Sequence, residues 1–187
     1  MKCIMAGSGS DIAQGLTERL TADGWEVRGI TRNQMTSVQW DMAIICYGSL
    51  EPIGKFFDVA GTDWERGVHL NGLYPLRILR LLWLCRRPKA TVVFLGGPNM
   101  DKPSPTYSAY RAGKAILYEI VGTLGEEYPD VRFRILNPGV VKTKIHLQTL
   151  AAGHKAANYE RVMKIVNGTE ATVSHDEVYR RLKDVIA

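Results

Sequence analysis

The feature that most constrains the fold is a glycine-rich turn between a short strand and a helical pattern at the start of the chain. The run Lys2–Ala6 is largely apolar and ends at Gly7, which is typical of a buried parallel strand. Ile12, Leu16 and Leu20 then recur at helical spacing. A strand that passes through a glycine turn into a helix opens a β–α–β unit, so the sequence predicts an α/β fold.

Four further strands are predicted, at residues 25–31, 41–46, 91–95 and 131–136. Helical patterns at residues 63–85 and 108–127 alternate with them, and two helices follow, the last beginning at Ser174. Strands that alternate with helices predict a Rossmann-type, doubly wound parallel sheet of about five strands in three α/β/α layers. We expect one domain over residues 1–187.

Composition narrows the class of protein. The net charge is +5, but the basic residues are scattered, so no nucleic-acid partner is predicted. The charge instead suits an anionic small ligand such as a phosphorylated cofactor. The longest apolar stretch, at residues 79–85, is too short to span a bilayer, and the N-terminus lacks a signal-peptide pattern, so we expect a cytoplasmic protein without membrane contact. The cysteines and histidines show no ligand spacing, so no metal site is predicted.

The turn at residues 7–13 is suited to binding a phosphate group. Gly7 permits the tight turn, Gly9 allows close backbone approach, and Ala13 is small enough for the helix to pack on the strand. Asp11 is unusual because a carboxylate repels phosphate, and we expect it to cap the helix and face away. An ordinary structural turn is the alternative, because glycine-rich turns commonly follow strands.

Two segments in the first third of the chain resemble motifs of the short-chain dehydrogenase/reductase family. Residues 7–13 resemble the family's TGxxxGxG motif, with Asp11 and Ala13 in place of the second and third glycines. Residues 41–48 resemble the strand that ends in Asn-Asn-Ala-Gly, of which only Gly48 is retained.

Three later segments extend the resemblance to about residue 146. Residues 63–72 are similar to the helix that carries the family's active-site asparagine, here Asn71. Residues 110–114 match the YxxxK motif, and residues 137–143 resemble the PGxVxT motif. The order and spacing of the segments support the resemblance more than any one motif does.

The resemblance implies an oxidoreductase that reduces a carbonyl or oxidises an alcohol on a small-molecule substrate. Tyr110 would be the general acid/base, and Lys114, one helical turn on, would lower the tyrosine pKa and hold the nicotinamide ribose. Asn71 would keep a water in the proton relay. Tyr107 and Arg111 have the same spacing and form a decoy, and the alternative for Tyr110 is a half-buried aromatic at a helix start.

The cofactor is expected to be NADP(H) in preference to NAD(H). Arg32 follows the second strand, where an enzyme that uses NAD often has an acid, and a guanidinium suits a 2′-phosphate. The alternative is an ordinary exposed arginine. The residues expected to bind the cofactor are Gly7, Ser8, Gly9, Ser10, Asp11, Ile12, Arg32, Gly48, Tyr110, Lys114, Pro138, Gly139, Val141 and Thr143.

The sequence departs from the family pattern where the catalytic serine is expected. Gly96 and Gly97 take that place, and losing one such hydrogen-bond donor typically costs roughly 10²–10³-fold in rate. Substitutes from the following loop stay open as Asn99, Ser104, Thr106 and Ser108. The second hypothesis is therefore a non-catalytic relative that binds a dinucleotide or a protein partner.

Two edge strands of the family's sheet are also expected to be absent, one between Arg32 and Asp41 and one after the fifth strand. The resemblance implies a homodimer or homotetramer formed by the helices at residues 63–85 and 108–127. It also implies that residues 144–187 form a short substrate lid and C-terminal helical segment.

Overall fold

The computed structural model describes residues 1–31 and 37–187. A five-stranded parallel sheet with the order β2-β1-β3-β4-β5 forms the centre of the molecule. This arrangement confirms the predicted doubly wound sheet of about five strands. The strands are β1 (Lys2–Ala6), β2 (Glu26–Ile30), β3 (Trp40–Ile45), β4 (Arg86–Leu95) and β5 (Arg132–Leu136).

The central strands are apolar on both faces, as parallel strands covered on both sides require. The side chains of Ile4, Ala43 and Val92 occupy neighbouring positions of β1, β3 and β4, and each is at most 1% exposed. The chain reverses its direction across the sheet between β1 and β3. A ligand in such a sheet binds outside the carboxyl ends of the strands at this switch point.

Helices cover both faces of the sheet and complete the predicted three layers. One apolar cluster packs beneath the helices that follow β3 and β4, and the other packs beneath the first and last helices. The helices are α1 (Asp11–Ala22), α2 (Gly61–Val68), α3 (Tyr74–Leu82), α4 (Ser108–Glu127), α5 (His146–Ala152), α6 (Tyr159–Val166) and α7 (His175–Ile186). In the part of the chain that the structure describes, no helix has the length and apolarity needed to cross a membrane.

The prediction of one continuous helix over residues 63–85 is wrong. A single π-helical turn, His69–Leu73, separates α2 from α3, and the Tyr74 N–H donates to the carbonyl of His69. Pro75 follows in the first turn of α3 and has no N–H to donate to the carbonyl of residue 71. The helix therefore shifts its hydrogen-bond register at this point, as π turns do.

The C-terminal segment contains three α-helices where the sequence predicted two. The capping of α7 is as predicted, because the Ser174 side chain accepts from the Glu177 N–H at 3.2 Å. The last carbonyls of α7 accept hydrogen bonds from Arg132 and Arg134 of the edge strand β5. These contacts place α7 against the edge at which the resemblance expects a further strand.

Candidate active site

A cavity of 690 Å³ opens at the carboxyl edge of the sheet. Of the residues expected at the catalytic and cofactor sites, it is lined by Ser10, Asp11, Ile12, Gly48, Tyr110, Lys114, Pro138, Gly139, Val141 and Thr143. Gly7, Ser8, Gly9 and Asn71 do not line it. Arg32 lies outside the described residues, so its expected contact with a 2′-phosphate stays a prediction.

The Tyr110 hydroxyl lies against Gly97, which follows the end of β4. An ideal Cβ at Gly97 would lie 2.5 Å from the Tyr110 hydroxyl oxygen, which is closer than real Cβ contacts allow. The tyrosine hydroxyl thus takes up the space next to the strand end where a serine side chain would begin. Within the described residues, the Tyr110 hydroxyl makes no hydrogen bond, so its proton is available to a ligand in the cavity.

The pKa of the Tyr110 hydroxyl is set by burial and by two neighbouring side chains. Burial raises the pKa of the Tyr110 hydroxyl, and the nearby Tyr118 hydroxyl adds to the increase. The cation that lowers this pKa is Arg111. The expected effect of Lys114 on the pKa of Tyr110 stays a prediction.

Lys114 is anchored by backbone carbonyl groups at the ends of two strands. Its Nζ donates to the Tyr47 carbonyl at 3.0 Å and to the Leu95 carbonyl at 2.7 Å, and the side chain is 2% exposed. Burial lowers the pKa of the ammonium to about 8. An ammonium has three N–H donors, so one is left without a partner among the residues described.

Asn71 lies fully buried behind the cavity and holds the loop after β3. Its Nδ2 donates to the carbonyls of Ser49 and Gly67 at 2.8 Å, and its Oδ1 accepts from the Ser49 N–H at 3.0 Å. The amide also lies beside Gly48, where an ideal Cβ would be 3.4 Å from Oδ1 and 3.6 Å from Lys114 Nζ. These contacts give the Asn71 side chain a positioning role, and its expected part in a proton relay stays a prediction.

The competing tyrosine, Tyr107, has a structural role. Its side chain is 5% exposed, and its hydroxyl is hydrogen-bonded to Thr149 at 3.0 Å and to Asn158. Arg111, its partner in the decoy motif, donates to the carbonyls of Asn99 and Met100 instead. Tyr107 and Arg111 also line the cavity, but these hydrogen bonds occupy their polar groups, and the assignment of Tyr110 and Lys114 as the acid/base pair stays a prediction.

The glycine turn leaves three backbone N–H groups without an acceptor at the start of α1. Gly7 has a φ of +81°, and an ideal Cβ there would lie 3.0 Å from the Cys46 carbonyl oxygen. The backbone N–H groups of Gly9, Asp11 and Ile12 have no acceptor within the described chain. Free N–H groups at the start of a helix are suited to binding an anion.

The expectation that Asp11 caps α1 is wrong. The cap is Ser10, whose hydroxyl oxygen accepts from the Ala13 N–H at 3.2 Å. Asp11 lies in the first turn of the helix and faces the cavity, where its Oδ2 accepts from the Lys144 N–H at 2.6 Å. The Lys144 Nζ lies 3.5 Å from Asp11 Oδ1 and donates to the Gly9 carbonyl.

The C-terminal segment lines one side of the cavity with residues of α5, α6 and the loop between them, and its role as a substrate lid stays a prediction. Gln148 of α5 accepts from the Leu50 N–H at 2.8 Å and ties this helix to the loop after β3. Lys144 and Gln148 were not predicted from the sequence. Both act across more than 95 residues of sequence, so no local pattern indicates them.

The cavity is electropositive. Its lining contains one acidic residue, Asp11, among the residues described, and the basic ones are Lys102, Arg111, Lys114, Lys144 and Arg161. Glu170 pairs with Arg161 at 2.9 Å. The remaining excess of positive charge favours an anionic ligand. The described residues contain no cluster of three or more potential metal-ligating His, Cys, Asp or Glu side chains.

The sheet order, the glycine turn and the cavity at the switch point define a Rossmann-type α/β fold. Solved short-chain dehydrogenases/reductases have the same fold. A small-chain dehydrogenase in complex with NADPH is 17% identical, with a TM-score of 0.80 over 98% of this chain and 90% of that chain. A short-chain dehydrogenase/reductase from Burkholderia phymatum in complex with NAD is 14% identical, with a TM-score of 0.73 over 99% and 85%. At these identities the likeness establishes the fold alone.

One curated protein, an uncharacterized oxidoreductase of Schizosaccharomyces pombe, is 28% identical over 118 residues. The match covers 63% of this chain and 48% of that protein, so the chain spans about half the length of this relative. No family model matches the sequence.

Proposed function

We propose that this protein is an oxidoreductase of the short-chain dehydrogenase/reductase type that acts on a small carbonyl or alcohol substrate with a nicotinamide dinucleotide. The observation that carries the proposal is that Tyr110, Lys114 and the first turn of α1 line the same electropositive cavity. The fold supports it, since structures with this fold include proteins in complex with NADPH and with NAD.

The residues present suit a dinucleotide. The free N–H groups of Gly9, Asp11 and Ile12 would hold the phosphates, and the free donor of Lys114 would hold a ribose hydroxyl. Pro138 and Thr143 also line the cavity and would hold the nicotinamide end. The bound dinucleotide would supply the hydride chemistry.

Tyr110 would supply the proton. Because burial raises its pKa, the hydroxyl is protonated at neutral pH and is ready to donate to the oxygen of a carbonyl substrate. In alcohol oxidation the same oxygen would accept the proton, so one residue would serve both directions of the reaction. Arg111 is the cation that lowers the pKa of Tyr110.

NADP(H) is proposed over NAD(H) because of Arg32 in the sequence. Calorimetry with NADPH and NADH on the wild type and on Arg32→Ala tests the preference. NADPH should bind more tightly than NADH, and Arg32→Ala should weaken NADPH alone by about tenfold. Arg28→Ala, which removes an exposed arginine from the neighbouring strand, should leave both affinities unchanged. Equal binding of the two cofactors by the wild type would contradict the preference.

A second candidate function is binding of a dinucleotide without catalysis, which the contact at Gly97 favours. The space next to this glycine is filled by the Tyr110 hydroxyl, so no serine donor can lie there without movement. NADPH-dependent reduction of any aldehyde or ketone in a broad panel would support the oxidoreductase. NADPH binding without turnover across the panel would support the second candidate. The cytoplasmic location stays a prediction from the sequence.

A further inference from the structure

The contact between Lys144 and Asp11 crosses the cavity at the proposed phosphate site. Lys144 lies in the loop after β5, and Asp11 lies in the first turn of α1, so the pair joins the two walls of the cavity. Three interactions hold it: the Lys144 N–H donates to Asp11 Oδ2 at 2.6 Å, Nζ lies 3.5 Å from Oδ1, and Nζ donates to the Gly9 carbonyl.

Asp11 places a negative charge where an anion would bind. The N–H groups of Gly9, Asp11 and Ile12 are free at this helix start, and the carboxylate of Asp11 lies in the same first turn. A phosphate on these N–H groups would be repelled by the carboxylate unless a cation lies between them. Lys144 is the cation that the structure places next to the carboxylate, and its side chain is 60% exposed.

We propose that Lys144 is a phosphate-binding residue and that Asp11 is its resident counter-ion, which competes with the dinucleotide phosphates for the Lys144 ammonium. The inference rests on the proposed dinucleotide site. Binding would transfer the ammonium from the Asp11 carboxylate and the Gly9 carbonyl toward the phosphates. The affinity of this protein for a dinucleotide would then be limited by the strength of its own ion pair.

Two substitutions test the roles of Asp11 and Lys144 separately. Asp11→Asn keeps an acceptor for the Lys144 N–H and removes the competing charge, so NADPH should bind about three- to tenfold more tightly. Lys144→Met removes the phosphate-binding cation and leaves the carboxylate unneutralised, so NADPH should bind about tenfold more weakly. Calorimetry measures both affinities, and inorganic pyrophosphate, as a competitor of NADPH, should follow the same order.

The chain offers a matched control for each variant. Lys142→Met removes an exposed lysine from the same loop but outside the cavity lining. Glu18→Gln removes an exposed acid from the same helix as Asp11. Both controls change the net charge by the same amount as the test variants, and both should bind NADPH as the wild type does.

The possible outcomes separate this inference from the proposed function. Tighter binding by Lys144→Met would mean that the ion pair only obstructs the cavity, and would overturn the assignment of Lys144. If the wild type binds NADPH and neither substitution changes the affinity, the inference is overturned and the proposed function stays intact. No NADPH or NADH binding by any variant, with native circular dichroism throughout, would overturn both.

Discussion

Gly97 illustrates how a single position decides which chemistry the site can use. A serine there would place its Cβ against the Tyr110 hydroxyl, 2.5 Å away, so restoring the family's serine would require the tyrosine to move. We expect Gly97→Ser to lower the free energy of unfolding by about 1–3 kcal/mol, the usual cost of overpacking. Urea denaturation measures this cost.

The control for this substitution is Gly125→Ser in α4, where an ideal Cβ has no neighbour within 4 Å. Gly125→Ser should leave the stability within about 0.5 kcal/mol of the wild type. A Gly97→Ser variant that is as stable as the wild type and turns substrate over faster would contradict this account of the strand end.

Lys114 gives the stability of the protein a dependence on pH. Its pKa is about 8 in the folded protein against an ordinary value of 10.5, so between these values the unfolded chain binds more protons than the folded one. The contribution of Lys114 to the free energy of unfolding should therefore rise with pH between about 8 and 10.5.

The measurement is the difference in the free energy of unfolding between the wild type and Lys114→Met across this range. Other titrating groups cancel in the difference. Both proteins must be folded throughout, which circular dichroism checks. A difference that is constant from pH 8 to 10.5, or that falls, would contradict the lowered pKa of this lysine.

At the scale of elements, the bounds of a strand or helix could be predicted where they depend only on the residues of that element. β1 and α4 have the predicted bounds, because β1 is a short apolar run that ends at Gly7 and α4 has apolar residues at helical spacing. The π turn at His69–Leu73 was not predicted, although Pro75 within the helical pattern was a signal for a break.

Helix α4 also contains a position where the sequence is suboptimal for stability. Gly122 lies on an exposed part of the helix, and an ideal Cβ there meets no atom within 4 Å. Gly122→Ala should raise the free energy of unfolding by about 0.5–1 kcal/mol, because alanine loses less backbone entropy in a helix. Urea denaturation measures the change, and a loss of stability would indicate that another surface covers this face.

At the scale of the whole molecule, the sheet was predictable because alternating strands and helices leave few topologies open. The ion pair of Lys144 with Asp11 was not predictable from the sequence. Its partners are 133 residues apart and meet only when both loops reach the same sheet edge. The role of Asp11 was misread for this reason, since its neighbours in sequence do not include its partner.

The oligomeric state stays a prediction at this scale. The helices that the resemblance assigns to subunit contacts leave large apolar side chains in solvent, with Leu73 49% exposed and Leu81 45% exposed. We expect a homodimer or homotetramer, which light scattering at micromolar concentration measures. A mass equal to one chain would contradict it.

The proposed function depends most on Tyr110 as the proton donor in NADPH-dependent reduction of a carbonyl. The turnover of a carbonyl substrate by the wild type, Tyr110→Phe and the control Tyr128→Phe, which alters a tyrosine at the far end of α4, tests this role. Tyr110→Phe should lose about 10²-fold or more in kcat while it still binds NADPH, and Tyr128→Phe should retain activity. Turnover by Tyr110→Phe at the wild-type rate would show that Tyr110 is not the proton donor.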